Sequence, residues 1–150
     1  MYPIQHFLLG LVFIFIVYLV FPSVGILGLF IIFLSSVLID VDHYIYYSAR
    51  EKNLNIKKSY SWFLKRNKKF KSLPLKQRKK VSLGIYFLHS IEIMTPIFLI
   101  GLFSNTFYFI FIGFLFHIFA DLIYEVIVEK RDICKIFLFY SISREMKYPL

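Results

Sequence analysis

The chain's four histidines are His6, His43, His89 and His117, and acids recur beside them at helical spacings. His117, Asp121 and Glu125 lie at i, i+4 and i+8, which stack along one side of a helix. His89 and Glu92 are at i, i+3 and are also neighbours on a helix surface. Asp40 and His43 share a face if a helix continues through them, and Asp42 then points elsewhere, toward a supporting role. Imidazole with carboxylate, and no cysteine nearby, suits Zn²⁺, with Mn²⁺ or Fe²⁺ as alternatives. Neutral imidazoles and ionised carboxylates bound to a cation also relieve the cost of burying both. The same groups have plainer readings. His89 with Glu92, or His117 with Asp121, would serve as hydrogen-bonded pairs holding helices together.

The elements that must position these residues are read from the apolar runs. Of the 150 residues, 59% are hydrophobic, with 19 Phe and 11 Tyr. A soluble domain of this size has too little interior for so many large apolar side chains. The same content excludes intrinsic disorder. A disulfide scaffold is excluded because Cys134 is the single cysteine. Four runs, at about 4–21, 24–43, 83–103 and 107–128, approach the ~20 residues that a helix needs to cross a ~30 Å hydrocarbon core. Two-residue alternation is absent, which argues against a β-barrel. The expected fold is therefore all-α, an integral membrane four-helix bundle in one domain.

Phe21-Pro22-Ser23 and Phe103-Ser104-Asn105-Thr106 read as tight turns, so the runs pair into two hairpins. Between the hairpins lies a polar loop, 44–82, that carries thirteen Lys or Arg against one acid, Glu51. By the positive-inside rule this loop and both termini, with a tail over 129–150, are cytoplasmic at the cell membrane. No Lys or Arg precedes Arg50, so the first helix lacks a signal peptide's basic leader and is expected to be retained. In that topology His6, the Asp40–His43 group, His89 and Asp121 all fall in the cytoplasmic half of the bundle. His89 and Asp121 would lie ~10 Å below the helix ends. Each hairpin opens with a histidine and closes with an acid, 34 residues apart from His6 to Asp40 and 32 from His89 to Asp121, which suggests a parallel two-helix repeat.

Leu38-Ile39-Asp40-Val41-Asp42-His43, then Leu88-His89-Ser90, then His117-Ile118-Phe119-Ala120-Asp121 resemble the pattern of the YdjM-type membrane-bound metal-dependent hydrolases. That group is distantly similar to the zinc-dependent phospholipase C and P1 nuclease superfamily. The resemblance covers the four apolar runs and leaves the basic loop and the tail unmatched. It implies His6, Asp40, His43, His89, His117 and Asp121 as the metal-site positions. Ile39 stands where the family prefers Pro, Leu88 replaces a Thr, and Leu83-Gly84 lacks the family's His-Arg pair.

The expected function is metal-dependent hydrolysis of a phosphoester or ester in a lipid-like substrate at the cytoplasmic face. Asp42 or Glu92, if not a ligand, would act as general base on a metal-bound water. A metal-ion or proton carrier using the same His/Asp/Glu cluster is the alternative. A haem bundle is a third reading, against which the nearby carboxylates count. In the stretch 50–80, Tyr60, Trp62, Phe63 and Phe70 interleave with basic residues, which suits an interfacial segment on anionic lipid. The same charge would attract nucleic acid, but no recognised nucleic-acid fold or spacing is present. Pro74, with Leu75, is placed to start a short helix.

Overall fold

The computed structural model describes residues 3–129 and 136–150, and these are helical apart from turns, short connections and one isolated bridge between Ser82 and Pro149. Cys134 lies outside the described residues. Helix α1 spans Pro3–Val20, α2 Gly25–Leu38 and α3 Val41–Glu51. After them come α4 at Ile56–Ser72, α5 at Leu75–Arg78, α6 at Ile91–Gly101, α7 at Asn105–Tyr124 and α8 at Leu138–Lys147. Pro3 stands in the first turn of α1, where its missing N–H has no partner to lose. Both expected tight turns are present: Pro22–Val24 forms one 3₁₀ turn between α1 and α2, and Leu102 to Ser104 joins α6 to α7.

Three helical stretches are long and apolar enough to cross a membrane: Pro3–Val20, Pro22–Glu51 and Asn105–Glu129. Their outer faces are apolar as well; Phe15, Ile26 and Phe119 are among the large side chains left exposed. Five of their ionisable groups, His6, Asp42, His117, Asp121 and Glu125, are instead buried, with His117 and Asp42 both 0% exposed. Apolar side chains outside and charge inside is the reverse of a water-soluble protein, and it is consistent with a membrane protein.

The third expected span is corrected. The run 83–103 is not one helix; α6 begins only at Ile91 and has 11 residues. Other parts of the chain hold the missing turns in extended form. The Ser82 amide donates to the Tyr148 carbonyl (2.9 Å), and the Arg66 guanidinium donates to the Leu83 carbonyl (3.1 Å). Gly84 takes a φ of +147°, which a residue with a Cβ rarely adopts. Phe87–His89 then makes a 3₁₀ turn, and Ser90 caps α6 in extended conformation. The two hairpins consequently differ: His6 sits within α1, whereas His89 sits on the turn ahead of α6.

The second run is also longer than expected. A turn at Ile39 and Asp40, with the His43 amide bonding to the Asp40 carbonyl (3.1 Å), joins α2 to α3, which runs on to Glu51. What was read as an open polar loop is thus largely helical. The Asn55 side chain caps α4 by accepting from the Lys58 amide (3.0 Å). Trp62 fastens α4 to α3 through the Glu51 carboxylate (3.0 Å) and the Tyr47 ring, and it carries the Arg66 guanidinium 4.5 Å from its ring centre. The expected start at Pro74 is met by α5, which Pro74 caps.

Helix α7 is the centre of the bundle: α2 and α6 pack against it, and α1 packs on α2. Ile39, Met94, Phe114 and Ile118 form the buried apolar cluster between these helices. Gly113 allows the close approach of α7 to α2. A Cβ there would lie 2.0 Å from the Ser35 Oγ and 2.5 Å from the Ile32 carbonyl oxygen. Ser35 and Ser36 turn their hydroxyls back onto carbonyls of their own helix, so the contact is made without unpaired donors. One turn beyond Gly113 stands His117, and one turn beyond Ser36 stands Asp40.

Candidate metal centre

The close α2–α7 crossing brings the His117 ring against α2, where its Nδ1–H donates to the Ser36 carbonyl (2.7 Å). A carbonyl oxygen can only accept, so the proton is on Nδ1 and Nε2 presents a lone pair. His89 is fixed in the same way by Asp42. The Asp42 carboxylate accepts from His89 Nδ1 (2.9 Å), from the Leu88 amide (3.1 Å) and from His43 Nδ1 (2.9 Å). This leaves His89 Nε2 turned to His117, and the two Nε2 atoms face one another at 3.2 Å.

Asp40 completes the figure. Its Oδ1 lies 3.5 Å from His89 Nε2 and 3.5 Å from His117 Nε2. A point equidistant from these three atoms is about 2.0 Å from each, the length of a zinc–imidazole or zinc–carboxylate bond. Asp121 Oδ2 is 4.0 Å from both Nε2 atoms, which leaves it at least about 2.5 Å from that point, farther out than the other three. Two imidazole nitrogens this close need a proton or a cation between them. A proton bridges two atoms, whereas three converging donors with a fourth carboxylate close by suit a metal ion.

His6 lies on the far side of this group. Its ring stacks on His117, centroids 3.8 Å apart, and its Nε2 lies 3.2 Å from Asp121 Oδ1 and 4.0 Å from Asp40 Oδ2. Asp40 and Asp121 thus each turn one oxygen to the His89/His117 pair and the other to His6. His43 is half-exposed and stacked on Tyr86, and its Nδ1 lies between Asp42 Oδ1 and Asp40 Oδ1 (3.5 Å). Among the described residues, the buried groups His6/Asp40/His117, Asp40/His43/His89 and His89/His117/Asp121 could each hold a metal ion. All six residues read as ligands meet in one place.

The two residues expected as general bases, Asp42 and Glu92, are both engaged with other donors. The Asp42 carboxylate is fully buried behind His89 and already accepts three bonds, so it orients the imidazole. Glu92 is turned away: both its oxygens accept from the Leu138 amide (2.9 and 3.1 Å), which satisfies the first orphan donor of α8. Glu125, by contrast, is buried. It lies one turn beyond Asp121, at the start of a π turn over Glu125–Glu129, and lines the cavity beside the metal centre. The His117–Asp121–Glu125 row was the signal for it; its nearness to a helix end hid it.

That cavity, of about 130 Å³, is open on one side, with Asp40, His43, Asp121 and Glu125 on its inner wall. Tyr60, Phe63, Leu64, Asn67 and Lys71 form its outer wall, all on one face of α4. Comparison with family models, with curated proteins and with solved structures finds no match to this chain.

Proposed function

We propose that this protein is a membrane-embedded, metal-dependent hydrolase that cleaves a phosphoester or ester linkage of a lipid-like substrate at the cytoplasmic face of the cell membrane. The observation that carries the reading is the pair of Nε2 atoms 3.2 Å apart, with a carboxylate oxygen equidistant from both. Resemblance to the YdjM-type hydrolases supports it, and α6 serves as the short fourth helix of the bundle. Zinc is the preferred ion for a two-imidazole, two-carboxylate set. When bound, the ion supplies an acidified water and polarises the phosphoryl or acyl oxygen. His89, His117, Asp40 and Asp121 hold it, with His6 tying the two carboxylates together from behind. Asp42 and the Ser36 carbonyl lock both imidazoles in the tautomer that leaves Nε2 free. Glu125 accepts the proton of the attacking water and returns it to the leaving alcohol oxygen as that bond breaks.

The carrier alternative requires polar groups that continue to the opposite face. Gly25 to Leu34 and Asn105 to Phe116 contain no acid, base or histidine, so the site is one-sided. The six lysines Lys57, Lys58, Lys65, Lys68, Lys69 and Lys71 are all exposed on α4, which suits anionic lipid beside the site entrance.

The test presents phospholipids and isoprenoid phosphates in mixed micelles. Phosphate or head-group release should occur and stop on chelation. Neutralising Lys57, Lys58, Lys65 and Lys68 should weaken binding to anionic vesicles and leave metal content unchanged, since α4 supplies no ligand. Metal flux into proteoliposomes with no product from any substrate would establish the carrier instead.

A further inference from the structure

Beside the metal cavity runs a second recess, between α1 and α7 on the outer surface, of about 360 Å³. Leu9 forms its α1 side, and Phe116, Phe119, Ala120, Ile123 and Ile127 are among the residues of its α7 side. Its lining is almost wholly apolar. The residues on α7 and the π turn run from Phe116 to Val128, about 18 Å along the helix axis, slightly more than half of a ~30 Å hydrocarbon core. Ala120 is the small side chain that deepens it, one residue before Asp121.

Tyr124 lines both the recess and the metal cavity. The π turn that follows divides its residues between them: Glu125 and Glu129 line the cavity, Ile127 and Val128 the recess. A chamber of mixed lining, with Asp40, Asp121, Glu125 and Glu129 as well as exposed Lys71 in its wall, therefore adjoins an apolar channel one leaflet long, with a single tyrosine between.

We propose that this groove holds one hydrocarbon chain of the substrate, and that the substrate is a lipid with an anionic phosphate head group seated in the cavity. The inference rests on the hydrolase reading and adds the chain site and the head-group charge. Chain length is then a determinant of binding, because each methylene transferred from water to an apolar wall favours the bound state severalfold. Phe119 is 60% exposed to the surroundings, so a chain enters sideways from the leaflet and no lid has to open.

The probe is hexadecyl phosphate carrying a diazirine at mid-chain, at trace level in phosphatidylcholine nanodiscs that hold the full chain. Labelling should concentrate on Phe119, Ile123 and Ile127 and be displaced by unlabelled hexadecyl phosphate but not by hexadecanol. Ala120→Trp should reduce it by about tenfold or more, since losing two buried methylenes already accounts for that. Unchanged metal content in Ala120→Trp shows that the bundle is intact, and Ala120→Phe should give a graded loss. Labelling spread evenly over Phe15, Phe30 and Phe103, without competition, would mean that bulk lipid alone fills the groove and would overturn the proposal. Competed labelling with no hydrolysis of any substrate would leave the groove standing and remove the hydrolase; metal-dependent hydrolysis with uncompeted labelling would do the reverse.

Discussion

Glu125→Gln is expected to keep its metal and to slow turnover by about 10²–10⁴-fold, the usual cost of losing a positioned general base. The amide has the size of the carboxylate and still accepts hydrogen bonds, so the buried site loses its proton acceptor and little else. The loss should fall on kcat, because the side chain acts on the reacting water and no part of the substrate is proposed to depend on it. Glu92→Gln separates this account from the sequence reading. Its carboxylate sits on the Leu138 amide, so the variant should retain full turnover and lose only stability at α8. Measuring kcat and metal content together on the two variants decides between them; equal loss in both, or loss of metal from Glu125→Gln, would contradict the assignment.

His89→Ala and His117→Ala should each abolish metal retention and turnover together. Each removes one of two imidazoles whose Nε2 atoms converge at 3.2 Å, and one imidazole and two carboxylates remain. Asp42→Asn should act more mildly, lowering metal affinity by about 10–100-fold, since an amide no longer dictates which His89 nitrogen carries the proton. Adding acid should act on the same ligands. Ligand imidazoles must be neutral, so protons compete with the metal and bound metal should be released as pH falls. Metal retained by His117→Ala at wild-type level would rule out the α2–α7 crossing as the site.

The sequence carried the site further than it carried the fold around it. His6, Asp40, His89, His117 and Asp121 could be grouped because ionisable residues inside apolar runs are rare, and helical spacing alone sets which of them share a face. Hydropathy could not show that α6 starts late. Ser82 to Leu88 are apolar enough to extend a span, but their backbone is held by Tyr148 and Arg66, far off in sequence. The helical order between Tyr44 and Ser82 was likewise hidden, because it depends on Trp62 packing on α3 and an Asn55 cap, against a charge density that reads as loop. Asp42 and Glu92 were legible as acids near the site but not as groups already engaged, since a carboxylate's role depends on which donors meet it. Gly113 carried no chemical signal at all, although without it His117 could not reach Ser36.

The most direct test of the central claim is metal analysis with X-ray absorption on the unmodified protein, purified in detergent without chelator. The account predicts a divalent ion bound near stoichiometrically, with a nitrogen and oxygen shell at about 2.0–2.2 Å, no sulfur, and the outer-shell scattering of two imidazoles. Protein that emerges without metal, and takes up none of zinc, manganese or iron when they are supplied at neutral pH, would contradict it.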